Sequence, residues 1–194
     1  MQTICVFCGS SAGADAAYSE AAHELGRLLA AEHLGLVYGG ARVGLMGRVA
    51  DAVLAAGGTA VGILPAFLQR KEVAHPALTE LIVVPSMHER KARMAELADG
   101  FIALPGGMGT LEEFCEIITW AQLGLHEKPC GLLNVQNYYT PLLDFVDRMA
   151  AEGFIRDKHK GLVLSSDTPT GLLAAMRAYR PIRVEKWVDR QEKA

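Results

Sequence analysis

Short, continuously apolar runs alternate with amphipathic stretches along almost the whole chain, and few folds accept that pattern. Strand-length runs are expected at Thr3–Cys8, Gly35–Tyr38, Thr59–Leu64, Leu81–Val84, Phe101–Leu104, Cys130–Val135 and Leu162–Leu164. Between them, helical spacing marks Ala14–Glu32, where Tyr18, Ala21, Leu25 and Leu28 share a stripe, and then Leu45–Ala56, Met87–Ala98, Leu111–Leu123, Pro141–Glu152 and Pro169–Tyr179. Thr140-Pro141 and Thr168-Pro169 read as an N-cap followed by a first-turn proline. Strands that are apolar on both sides, alternating with helices, imply an α/β fold with a parallel sheet covered on both faces. Ligands of such sheets bind beyond the carboxyl ends of the strands, so the loops after the strands are where chemistry is sought.

A chain of 194 residues, 51% hydrophobic and 21% charged, suits one globular domain with a substantial core. The body is expected to span residues 1–179, with 180–194 a charged surface tail whose Trp187 docks on it. A net charge of −3 leaves no footprint of a nucleic-acid binder. The first residues show no basic n-region or long apolar stretch, so no membrane association is expected and the cytoplasm is the default. Cys5 and Cys8 form a C-x-x-C, but a spacing of three along a strand points them to opposite faces, and no second pair lies at metal-ligand spacing. Buried thiols are expected there, and no metal site anywhere: the histidines form no close pair either.

Four loops stand out. After the first strand, Cys8-Gly9-Ser10-Ser11 lacks both the full G-x-G-x-x-G spacing and a Walker lysine, yet Gly9 and Ser10 can still offer an amide and a hydroxyl to a phosphate or ribose. After the second, Tyr38-Gly39-Gly40-Ala41-Arg42 and Gly44-Leu45-Met46-Gly47 permit tight strand-to-helix packing, and Arg42 faces either a ligand or solvent. In the third, Ser86 and Glu89 form a capping box, after which helical spacing puts Met87, Arg90, Lys91 and Met94 on one face. Two cations on an apolar stripe, beside the helix end whose dipole disfavours them, point to an anionic ligand or a buried carboxylate.

The fourth loop, Pro105-Gly106-Gly107-Met108-Gly109-Thr110-Leu111-Glu112-Glu113, joins a buried strand to a helix. Its glycines let the backbone turn sharply and leave the first helical amides open to an anion. Glu113 has two readings. In one, Thr110 is an N-cap and Glu113 reaches back to it. In the other, Gly107–Thr110 hold a phosphate and Glu113 faces the next group along the ligand, which in a nucleotide is ribose.

Taken together, these segments resemble the Lonely Guy (LOG) family of nucleoside 5′-monophosphate phosphoribohydrolases. Pro105–Glu113 matches its P-G-G-x-G-T-x-x-E signature, and Met87-His88-Glu89-Arg90-Lys91 looks like its second. Cys8–Ser11, Gly44–Gly47 and Thr119–Gly124 are similar to its other recurring segments, while Ala41-Arg42 departs from the third glycine and small residue many members carry. The resemblance implies a Rossmann-like, doubly wound homodimer that needs no cofactor. It would cut a cytokinin riboside 5′-monophosphate, and AMP in some relatives, into free base and ribose 5-phosphate. By matching positions, Glu113 and Arg90 would be catalytic and Gly106, Gly107, Gly109 and Thr110 the phosphate cradle, with Gly9, Ser10, Met87 and Lys91 assisting in binding. Two alternatives remain: a nucleotide-binding module of the same fold that does not cleave, and a pyridoxal-phosphate decarboxylase, for which Lys91 is the one lysine beside a signature loop.

Overall fold

In the computed structural model, which describes residues 1–69 and 74–182, seven strands form one sheet. They are β1 (Thr3–Phe7), β2 (Gly35–Tyr38), β3 (Ala60–Pro65), β4 (Glu80–Val84), β5 (Gly100–Ala103), β6 (Cys130–Leu133) and β7 (Val163–Ser166). Their spatial order is β4-β3-β2-β1-β5-β6-β7, and every adjacent pair is parallel. Parallel neighbours need long crossovers. Six helices supply most of them: α1 (Ala16–Ala31), α2 (Gly44–Ala55), α3 (Met87–Leu97), α4 (Met108–Gln122), α5 (Thr140–Ala151) and α6 (Pro169–Ala178). All the expected strands and helices are present, in a doubly wound, Rossmann-like arrangement.

The core divides at the sheet. One apolar cluster joins Leu25 and Leu29 of α1, Val49 and Val53 of α2, and Leu172 and Met176 of α6 to the strands; the other brings in Met94 of α3 and Phe114 and Ile117 of α4. Cys8 belongs to the first cluster and Cys5 to the second, the opposite-face placement their spacing demands. From β1 the chain winds outward to β4, then returns across the sheet to β5 on the other flank of β1. That reversal opens a crevice beyond the carboxyl ends of β1 and β5, between the loops at Cys8–Ser11 and Pro105–Gly107.

Two N-caps differ from expectation. The cap of α4 is Gly107, with no side-chain cap bond, so Thr110 lies inside the first turn and is not the N-cap. Glu113 then falls in the second turn, out of register for a capping box. For α5 the cap is Tyr139, and Thr140 is the first helical residue; its hydroxyl instead accepts from Asn134 Nδ2 at 3.1 Å. Thr168 caps α6 as expected, accepting from the Gly171 amide at 3.3 Å. Residues 183–194 of the expected tail, Trp187 included, lie outside the described residues.

Candidate active site

The two loops at the crevice are tied together by backbone. Leu104 donates to the Phe7 carbonyl at 2.9 Å, and the Gly9 amide donates to Pro105 O at 3.1 Å. At Gly106 any Cβ would strike Thr110 Oγ1 and the Gly9 amide, so this glycine is required by packing. Its neighbours are different. A Cβ at Gly107 or Gly109 would meet nothing within 4 Å, and neither residue has a positive φ. Neither crowding nor backbone conformation calls for glycine at those positions. What they leave is open ground in front of the first amides of α4, which have no intrahelical acceptor and sit at the positive end of the dipole. A phosphate-sized anion fits that description.

Gly107, Gly109 and Thr110 form one wall of a cavity of about 350 Å³. Glu112 and Glu113 of α4 line it further along, Gly9 and Ser10 close one side, and Met87 and Arg90 of α3 close the other. Ser86 sets the start of α3: its Oγ accepts from the Glu89 amide at 3.2 Å and donates to the Glu89 carboxylate at 3.2 Å. One turn later Arg90 is driven inward and is only 7% exposed. Its Nε is buried without a hydrogen-bond partner, and Nη1 lies 3.8 Å from Met87 Sδ. The guanidinium also lies against Gly39, where any Cβ would collide with Nη2. Gly39 therefore makes room for Arg90, a second use of the glycine pair after β2.

Guanidinium and carboxylate share one electrostatic neighbourhood. The Cys8 thiol at the mouth of β1 is pushed well above its ordinary range, chiefly by burial and next by the Glu113 carboxylate, with Arg90 partly offsetting both. Cys5, three residues deeper and on the other face of the sheet, is raised chiefly by burial and next by Glu113, with Arg90 again opposing. A carboxylate and a buried cation beside an open helix start can bind a phosphorylated sugar and stabilise positive charge on its ring.

Lys91 is not among the residues lining this cavity. Its ammonium lies 2.5 Å from Glu112 and 3.1 Å from Glu116, both on α4, and so links α3 to α4. Burial works to lower its pKa, but the two carboxylates outweigh that and raise it. An amine held protonated is the wrong state for Schiff-base chemistry, which needs a neutral nucleophile. Arg42 is exposed and stands away from the cavity.

A second hollow of about 330 Å³ lies on the other side of the Gly9–Ser10 and Gly106–Gly107 ridge. Tyr18 and Tyr138 line it, edge to face with ring centres 5.8 Å apart. The sequence pattern places Tyr18 only on the apolar stripe of its helix, names Cys8 and Met46, which line the larger cavity, only within loop segments, and passes over Tyr138. For Tyr138 the available signal is an aromatic pair, Tyr138-Tyr139, set in a turn close to a strand end.

Comparison with known proteins adds independent findings. A family model described as "Possible lysine decarboxylase" matches residues 46–176. The chain is 52% identical over 178 residues to a cytokinin riboside 5′-monophosphate phosphoribohydrolase of Rhodococcoides fascians, covering 91% of this chain and 90% of that protein. It is 50% identical over 179 residues to a protein of the same name from Arabidopsis thaliana, covering 92% of this chain and 78% of that protein. Among solved structures, the molybdenum cofactor carrier protein of Chlamydomonas reinhardtii superposes with a TM-score of 0.70 at 24% identity, over 91% of this chain and 96% of that one. At that identity the likeness concerns the fold alone.

Proposed function

The chain belongs to the Lonely Guy family of cytokinin riboside 5′-monophosphate phosphoribohydrolases, and from that premise we propose how its own residues carry the reaction. It is an N-glycosyl hydrolase: water adds across the bond between ribose C1′ and the base nitrogen, releasing free base and ribose 5-phosphate. The observation that carries the assignment is the glycine-lined, unobstructed start of α4 with Glu113 and Arg90 on the same cavity. In this proposal the 5′-phosphate sits on the amides of Gly107, Gly109 and Thr110, and Arg90 supplies the compensating positive charge. With the phosphate fixed there, Glu113, one turn further along α4, faces the ribose.

Breaking the glycosidic bond builds positive charge on the sugar ring, as in other glycoside cleavages with oxocarbenium-like transition states. A carboxylate beside that ring interacts more strongly with the transition state than with the neutral ground state, which is what lowers the barrier. In the same proposal Glu113 takes a proton from the attacking water. AMP, which differs from the cytokinin nucleotides in its base substituent, is included in the proposed substrate range because every contact above is to phosphate or sugar.

The proposal extends to a homodimer in a reducing compartment such as the cytoplasm. Support comes from α5, an amphipathic helix with no buried residue, and from Phe145 and Phe154, which are 53% and 84% exposed. The four cysteines are unbridged, as a reducing compartment keeps them. Light scattering on the purified chain reports the assembly directly.

Incubation with isopentenyladenosine monophosphate and with AMP, followed by chromatography of the products, tests the activity. Free base together with ribose 5-phosphate is the expected result. Intact nucleotide with measurable binding would make the site a non-cleaving nucleotide module instead.

A further inference from the structure

We infer that Tyr138 is a positioning residue for the phosphate cradle, acting through the Gly106 carbonyl. This rests on the proposed use of the α4 start as the phosphate site. Its phenolic hydroxyl donates to Gly106 O at 2.6 Å, a contact that spans 32 positions of sequence. The peptide joining Gly106 to Gly107 is trans, like every other among the described residues, so its C=O and N–H point in opposite directions within one plane. Holding the carbonyl toward Tyr138 therefore turns the Gly107 amide away from Tyr138 and out of the carbonyl's hollow. Glycine has no side chain to resist rotation of this peptide. Without an anchor, the amide would sample orientations in which it cannot meet an anion.

The surroundings of Tyr138 are built to hold that anchor. Gln136 and Asn137, just before it, both take left-handed backbone conformations, with φ of 52° and 58°. Two consecutive non-glycine residues in that region are strained, and such strain persists only where surrounding structure enforces it. Asn134 enforces it here: its side-chain oxygen accepts from the Tyr139 amide at 2.6 Å, and its carbonyl accepts from the Asn137 amide at 3.2 Å. The turn delivers two adjacent phenols to the same backbone stretch. Tyr139 is buried and donates to Leu104 O at 2.7 Å, at the end of β5, while Tyr138 is 42% exposed and donates two residues later, at the glycine. Tyr18 packs against the Tyr138 ring, and Gly13 lies so close to Tyr18 that a Cβ there would strike its ring.

The two tyrosines supply their own control. Tyr138→Phe and Tyr139→Phe each remove one hydroxyl, and thermal melting establishes that both variants fold. In Tyr138→Phe, KM for isopentenyladenosine monophosphate and the dissociation constant of ribose 5-phosphate should each rise about 3- to 10-fold, the scale of one neutral hydrogen bond, with kcat changed less. In Tyr139→Phe, the melting temperature should fall while both constants stay within about twofold. Equal shifts of KM in the two variants, or no shift in Tyr138→Phe, would overturn the inference. Calorimetric binding of ribose 5-phosphate reads the cradle without turnover. A wild-type protein that binds it yet leaves the nucleotide intact would therefore refute the hydrolytic reading and still test Tyr138; a wild-type protein that does not bind it refutes both.

Discussion

The starts of α2 and α4 look alike in sequence, each a glycine-rich turn leading from a strand into a helix, but their glycines do opposite work. In the first turn of α2, a Cβ at Gly44 would run into the Ser10 backbone, and one at Gly47 into the Arg42 carbonyl; Gly44 also has a φ of +58°. Those residues are glycine because the protein itself fills the space. At the head of α4, Gly107 and Gly109 face nothing, so the space is kept for something else. The contrast continues into the second turn. Counting six residues from the cap gives Val49 in α2, fully buried in the core, and Glu113 in α4, on the cavity wall. One strand-to-helix unit became packing and the other became a site, and crowding around the glycines separates the two better than their number does.

The sharpest way to break this comparison is at its second-turn position. Glu113→Gln keeps the shape of the side chain and removes its charge and its ability to take a proton. Turnover should fall ~10²-fold or more, with ribose 5-phosphate affinity changed far less, because the loss is confined to the transition state. Steady-state kinetics on the chromatographic assay, together with calorimetry, checks both halves. Near-normal turnover would leave Glu113 no more chemical than Val49.

A smaller effect, and of the opposite kind, is expected at α2. Gly47→Ala forces a methyl onto the Arg42 carbonyl, and overpacking of this sort typically costs about 1–3 kcal/mol. For a chain of this size that lowers the melting temperature by a few degrees up to about ten. Activity per folded molecule should hold. If Gly47→Ala instead melted like the wild type and lost nucleotide affinity, the α2 turn would have to be counted as part of the site.

How far the sequence reveals this division depends on the kind of signal each part leaves. The strands announce themselves because both their faces are buried, which makes the runs continuously apolar; Ile4, Val37, Ile63 and Phe101 are all inaccessible. Arg90 is legible because a cation on an apolar helical stripe is an anomaly that needs an explanation. The start of α4 is misjudged by three residues because Thr110 and Glu113 imitate a capping box, whereas the backbone turns earlier at Gly107, where no side-chain cap marks the place. Lys91 looks like its neighbour Arg90 in the pattern, yet one step of helix rotation carries it out of the cavity and onto Glu112 and Glu116. Tyr138 leaves no periodic trace at all. Its turn is made by left-handed Gln136 and Asn137, not by a glycine, and its partner is 32 positions away.

The finest cut falls within the α4 turn itself, at Gly109. Alanine there would occupy open space in the first helical turn, so folding gains from lower unfolded-chain entropy and better helix propensity, about 0.4–1 kcal/mol. Melting should rise by up to about 4 °C. The same methyl stands between a ligand and the amides, so KM and the dissociation constant of ribose 5-phosphate should rise a few-fold to about tenfold, the scale of one weakened hydrogen bond. A more stable protein that binds less well is a combination that packing cannot produce. Were Gly109→Ala to bind ribose 5-phosphate as the wild type does, the empty ground before α4 would have no occupant that matters, and the difference between the two glycine turns would lose its functional meaning.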